Sequence, residues 1–246
     1  MTRRAALPLL ALCLTLVLVR PLAAQTEVDL ELVLLADATG SIDDAEIAFQ
    51  RQGYAEAITD PSVVAAIEDT VTGRIAVTYV EWAHAASQDV VVGWTVIDGA
   101  ESAAAFAAAL LIPPRRAFGS NAIGAALLFG KTLIEGNLFD GLRRVIDLSA
   151  DSAANSSGPP IEVARDEVVA AGITINGLAV LCRHCSGRPI SYDLEAAFTE
   201  RLIGGPGAFV ITADSEATFS DAVRRKLILE IAGDLRPADL ASRIGR

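Results

Sequence analysis

The sequence predicts one α/β domain: a mostly parallel central sheet with one antiparallel edge strand and helices on both faces. Three observations predict it. Short β-branched runs alternate with stretches of helical spacing along almost the whole chain, the pattern of strands joined by helical crossovers. The first strand run, Leu32 to Ala36, is apolar throughout rather than alternating, as in a strand buried on both faces. No linker, repeat or low-complexity segment divides the 246 residues, a length that one core can serve.

The first strand is read from Val28 to Ala36, and Asp43 to Thr59 follows with apolar residues at helical spacing. Asp60-Pro61-Ser62 breaks that helix and starts a short one ending at Glu68. Arg74 to Trp82 is β-branched and aromatic, a strand. Asp89 to Ile97 is the next, close enough behind it to pair as an antiparallel hairpin. Ala100 to Leu111 is an alanine-rich helix stopped by Pro113-Pro114. A loop over Arg115 to Asn121 leads into a helix from Ala122 to Ile134. Arg143 to Ser149 is a strand, Ser152 to Pro160 a loop, and Ile161 to Ala171 a helix with Gly172 at its C-terminal end. The last elements are a strand from Ile173 to Leu181, a helix from Tyr192 to Ile203, a strand from Gly207 to Thr212 and a helix from Ser215 to Ile231.

Residues 1–24 read differently. Arg3 and Arg4 precede an apolar run from Ala5 to Val19, and Leu22-Ala23-Ala24 ends in small residues. This is the layout of a cleaved export signal, and the run is short for a membrane span. The expected organisation is a signal peptide over 1–24, a domain over 25–233 and a polar tail over 234–246. The protein is then periplasmic or secreted, with no stable membrane span after cleavage. Its mature part carries 17 basic and 31 acidic residues, a net charge of −14. That charge repels nucleic acid and anionic membrane.

The chemistry concentrates at the end of the first strand, in Asp37-Ala38-Thr39-Gly40-Ser41. Three oxygen-bearing side chains alternate there, and Gly40 permits a turn that brings them together. Hard oxygen donors suit a hard cation such as Mg²⁺, and strand ends are where open α/β sheets bind ligands. The competing reading is that these residues cap the next helix, a task that Asp43 or Asp44 can perform equally well.

Asp37-Ala38-Thr39-Gly40-Ser41 resembles the Asp-x-Ser-x-Ser motif of the metal-ion-dependent adhesion site in von Willebrand factor type A domains. Gly119-Ser120-Asn121-Ala122-Ile123-Gly124 is similar to their Gly-x-Thr-x-Ile-Gly loop, and Ser149-Ala150-Asp151-Ser152 to their Ser-Gly-Asp-Gly segment. The likeness covers about residues 28–233 and extends to exported bacterial proteins of this type with no assigned function. It implies a Rossmann-like fold and a Mg²⁺ site, or one for Mn²⁺ or Ca²⁺, formed by Asp37, Thr39, Ser41, Ser120, Asn121 and Asp151. Thr39 and Ser41 would touch the ion, and Asp37 and Asp151 would act largely through water. A protein or peptide ligand would then supply a carboxylate to the open position, which is binding and not catalysis. Thr39 replaces a serine and keeps its hydroxyl. Asn121 replaces a threonine, so an amide carbonyl or Ser120 must serve in its place.

Cys182 and Cys185 are the two cysteines left after signal removal, and in an exported chain they read as a short-loop disulfide. Zinc or thiol redox work is the alternative; one pair alone does not make a structural zinc site. His84 falls in a loop and His184 between the cysteines, while Trp82 and Trp94 read as core. Gly-x-Ser-x-Gly is absent, and neither histidine is placed for a triad. The leading expectation is an exported, metal-dependent, adhesion-type binding module and not an enzyme. Its rivals are a Mg²⁺-dependent hydrolase using Asp37 and Asp151, a thiol oxidoreductase, and a scaffold whose metal site is degenerate.

Overall fold

A computed structural model describes residues 25–181 and 192–233. Its centre is β1 (Thr26–Asp37), buried from Val28 onward. β1 pairs in parallel with β2 (Ile75–Trp82) on one side and β4 (Phe139–Ala150) on the other. Outside β2 lies β3 (Gln88–Ile97), antiparallel. Outside β4 lie β5 (Thr174–Val180) and β6 (Val210–Ala213), both parallel. The order is β3-β2-β1-β4-β5-β6. The sequence therefore foretells both the parallel sheet and its antiparallel edge.

The helices fall on two faces. α1 (Asp44–Thr59), α2 (Pro61–Glu68), α3 (Ala100–Leu110) and α7 (Glu216–Ala232) cover one core, built around Leu30, Leu32, Leu34, Tyr54, Tyr79 and Phe219. α4 (Ile123–Glu135), α5 (Ile161–Ala170) and α6 (Leu194–Arg201) cover the other, around Val33, Leu35, Trp82, Ile146, Leu148 and Phe198. Successive β1 residues thus enter opposite cores, as the two-residue strand repeat requires. Each such side chain contributes about 1.5–3 kcal/mol of burial.

Several boundaries differ from the sequence reading. β4 begins at Phe139, not Arg143. Asp140-Gly141 looks like a turn, but Thr26, Glu27 and Val28 of β1 pair with Phe139, Asp140 and Gly141, and the Gly141 N–H donates to Glu31 Oε1 at 2.9 Å. α6 begins at Leu194 with Asp193 as its cap, so Tyr192 precedes the helix. Gly207 lies before β6, which begins at Val210. Trp82 is core as expected, whereas Trp94 is half-buried against Phe139.

The chain builds outward from β1 to β2 and β3 on one side, then returns from β3 to place β4 on the other side of β1, so the sheet's switch point lies between β1 and β4. Ligands of open α/β sheets bind in the crevice outside the strand ends at such a point. Asp37 is the last residue of β1, and Asp151 follows the last residue of β4.

Candidate metal centre

Asp37 is only 2% exposed. Its Oδ1 accepts the Thr39 N–H at 2.8 Å, while Oδ2 is buried with no hydrogen-bond partner. Burial pushes this carboxyl up, the negative charge of Asp151 adds to the effect, and together they carry it to about 7 against the pull of the Thr39 N–H. Thr39 is fully buried, and its Oγ1 lies 3.2 Å from Ser41 Oγ. Two hydroxyls and a carboxylate therefore gather in one turn, closed by the Ile42 N–H donating to Thr39 O at 2.9 Å.

None of the three caps α1. Asp43 does so, accepting the N–H groups of Ala45 at 2.8 Å and Glu46 at 2.9 Å, while Glu46 Oε2 accepts the Asp43 N–H at 2.8 Å. This complete capping box removes the helix-cap explanation of the motif. The role expected of Gly40 is corrected: it is not among the glycines of positive φ. Its N–H instead donates to Gly119 O at 2.8 Å. The conformational demand falls on Gly119, at φ 121°, where a Cβ would stand 2.8 Å from His84 Cβ.

That bond ties the motif to the second loop. Asn121 O accepts N–H groups from Ser156 at 2.7 Å and Ser157 at 3.3 Å, which ties the second loop to the third, the one carrying Asp151. The structure thus brings Asp37, Thr39, Ser41 and Asp151 together with the Ser120–Asn121 loop. Asn121 is half-buried, with Nδ2 enclosed and unpartnered, whereas Ser120 is exposed. His84 is exposed, as expected for a loop residue. Cys182, Arg183, His184 and Cys185 lie outside the described residues.

Three residues that sequence reasoning passed over support the site. Arg115 donates from Nη2 to Ala38 O at 2.7 Å and Thr39 O at 3.1 Å, and from Nη1 to Ile42 O at 2.8 Å. One guanidinium thereby fixes the carbonyls of the whole motif turn. Gln50 on α1 donates Nε2 to Asp37 O at 3.2 Å. The Tyr192 hydroxyl accepts the Ala153 N–H at 2.7 Å, just past Asp151. Nothing local in the sequence marks Arg115 or Gln50; an aromatic beside the Cys182–Cys185 segment was the one available signal for Tyr192.

Among the described residues, no three carboxylate, histidine or cysteine side chains converge as metal ligands. The donor set is two carboxylates with hydroxyls and an amide, all hard groups suited to a hard divalent ion. The enclosed, unpartnered Asp37 Oδ2 fits a bound cation, which would also offset the repulsion between Asp37 and Asp151.

Solved structures share this fold. The pilus adhesin SpaC of Lactobacillus rhamnosus GG is 12% identical with TM-score 0.58, over 85% of this chain and 31% of that one. The von Willebrand factor type A protein of Catenulispora acidiphila is 17% identical with TM-score 0.54, over 83% of this chain and 43% of that one. Proximal thread matrix protein 1 of the mussel byssus, with a zinc-occupied MIDAS motif, is 17% identical with TM-score 0.56, over 85% and 49%. The chain therefore spans a third to a half of the length of these proteins, and its fold is that of a von Willebrand factor type A domain. No curated protein matches it in sequence. The family described as "Protein of unknown function (DUF1194)" matches residues 27–235.

Proposed function

The chain belongs to that family, and on this premise we propose that it is an exported, adhesion-type module that binds a protein or peptide ligand through a divalent cation. The observation that carries the reading is Asp37, whose buried Oδ2 has no partner beside the like charge of Asp151. Asp37, Thr39, Ser41, Asn121 and Asp151 would hold the ion, with Ser120 at its exposed rim. Mg²⁺ suits the donors, and Mn²⁺ or Ca²⁺ are alternatives; the mussel protein's site holds zinc. When bound, the cation supplies an electrophilic centre for a carboxylate. Thr39 and Ser41 offer neutral oxygens, which leave the ion's charge available to that ligand, and Arg115 holds their backbone in place.

Export rests on the layout of residues 1–24, with 234–246 as a tail beyond the domain, in the periplasm or the medium. Among the described residues no helix is long and apolar enough to cross a membrane. In that compartment Cys182 and Cys185 would pair. Thermal melting tests the metal. A cation that binds only the folded state at 100 times its Kd adds about 2.7 kcal/mol. Mg²⁺ or Mn²⁺ should raise the Tm of the wild type and leave Asp37→Ala unmoved. An unchanged wild-type Tm at millimolar metal refutes the site.

A further inference from the structure

Between β4 and α7 lies a charged cluster that the metal chemistry does not use. Lys226 is fully buried, with Nζ 2.5 Å from Glu230 Oε1 one turn along α7 and 2.9 Å from Asp147 Oδ1 on β4. Asp147 and Glu230 are 1% and 2% exposed. Asn176 donates Nδ2 to Glu230 Oε1 at 3.0 Å, and the Phe209 ring stands 5.1 Å from Nζ. Although Asp147 Oδ1 is within reach of Nζ, it has no hydrogen-bond partner. A buried ion pair of this kind repays its desolvation only where well-aligned hydrogen bonds complete it.

With all three groups ionised, the cluster would seal one net negative charge away from water, a costly state. Burial pushes the Asp147 carboxyl up to about 7 despite the pull of Lys226. Burial pulls the Lys226 ammonium down, but the charges of Asp147 and Glu230 outweigh it and hold it above the ordinary lysine value. The amine therefore becomes a nucleophile only once its proton is taken, and Glu230 is in contact to take it. Fixed proximity stands in for high concentration, and excluded water protects the product from hydrolysis.

We propose that Lys226 and Asp147 condense into an intramolecular amide, with Glu230 relaying the protons. Glu230 takes a proton from the Lys226 ammonium. The freed lone pair attacks Cγ of the protonated Asp147 carboxyl, the N–Cγ bond forms, and the bond from Cγ to the Asp147 hydroxyl breaks. Of the three ammonium protons, one stays on the amide nitrogen, one leaves with that hydroxyl as water, and one remains on Glu230, which ends neutral. No oxidant or external reactant is needed. The cluster ends uncharged, and the last helix is bolted to the central sheet, a cross-link that restricts the unfolded chain.

Proteolytic mapping of the full chain by mass spectrometry, after reduction and denaturation, tests the proposal. The peptides holding Lys226 and Asp147 should be recovered joined, one water lighter than their sum, and cleavage after Lys226 should fail. In Glu230→Gln, which can still accept hydrogen bonds from Lys226 and Asn176, the same peptides should separate at full mass. Free, full-mass peptides from the wild type overturn the proposal, whatever the variant does. So does a joined product lighter by ammonia, which would identify Asn176 as the partner, or a Glu230→Gln chain joined as completely as the wild type.

Discussion

β1 carries an aspartate near each end, and the two are opposites. Asp29 is 5% exposed and Asp37 is 2% exposed. Asp29 accepts the Val71 N–H at 2.9 Å and the Thr72 N–H at 2.7 Å, and also the Thr72 hydroxyl. Burial alone would raise its carboxyl, but these donors outweigh it and hold it below the ordinary value. Asp37 accepts the Thr39 N–H on Oδ1, leaves Oδ2 without a hydrogen-bond partner, faces Asp151, and is raised to about 7. The fold supplies every partner Asp29 needs and leaves Asp37 short. The first is part of the scaffold; the second is the carboxyl on which the proposed cation site turns.

The comparison sharpens first with pH. A folded-state value above the unfolded one means that, between about 4 and 7, the folded protein holds more protons at Asp37 than the unfolded chain does. In chelator, stability should therefore fall as pH rises through that window, by roughly 4 kcal/mol at most when each pH unit is worth about 1.4 kcal/mol. Asp37 and Asp151 interact, so the window belongs to the pair. Asp29 has the opposite sign: its contribution is present above the unfolded value and is lost as pH falls through its lowered one. Urea denaturation from pH 3 to 8 measures both slopes. Asp147, where it remains a free carboxyl, adds a slope of the same sign in this window. The Asp37 share is therefore the part of the upper slope that saturating Mg²⁺ removes, and a flat metal-free profile between about 4 and 7 would break the contrast.

Exchanging each carboxylate for an amide is the next test. Asp29→Asn turns one of the two accepting oxygens into an NH2, so either the Val71 or the Thr72 N–H meets a donor, and it should cost about 2 kcal/mol at pH 7 while the metal response survives. Asp37→Asn removes a like charge from beside Asp151, so without metal it should be neutral or stabilising by about 1–2 kcal/mol, with the metal response gone. Equal losses in the two variants would mean that Asp37 is as structural as Asp29.

How much of this contrast could be read beforehand differs along the strand. The apolar run from Leu32 to Ala36 announces a two-faced strand, and the oxygens after it mark the candidate site, because both signals are local in sequence. Asp29 carries no such signal, since its donors at Val71 and Thr72 arrive from 42 and 43 residues away. Arg115 was invisible for the same reason: its carbonyl partners lie 73 to 77 residues back along the chain. The Asp140-Gly141 start of β4 hid behind turn-forming residues that pairing with β1 overrides. Lys226 and Glu230 fall in a stretch that the sequence marks only as helix, and the fold seals them against β4. Local pattern reveals the elements and the first motif; partners brought in by the fold do not show until it closes.

Arg115 is where that hidden support can be measured. Arg115→Ala leaves the Ala38, Thr39 and Ile42 carbonyls without their common donor and should cost about 1–2 kcal/mol. It also loosens the turn that sets Thr39 against Ser41, so metal titration should show weakened affinity as well. Arg115→Lys, a point charge without the planar fork, should recover only part of both.

The smallest effect lies across the crevice. Tyr192 is 47% exposed, yet its hydroxyl accepts the N–H of Ala153, which is 6% exposed. Tyr192→Phe keeps the ring and leaves that N–H without its acceptor, a loss of about 1 kcal/mol. Asp151 lies two residues away, in a loop also held by the Ser156 and Ser157 N–H groups on Asn121 O. If Tyr192 positions Asp151, the midpoint of a Mg²⁺ titration followed by Tm should move to higher concentration by up to about 5-fold, the equivalent of the same 1 kcal/mol. If the Asn121 bonds suffice, stability drops by that amount and the midpoint stays put. The first outcome places Tyr192 among the groups that tune the acidic pair, as Thr72 tunes Asp29; the second makes the Tyr192 hydroxyl a support of the loop backbone alone.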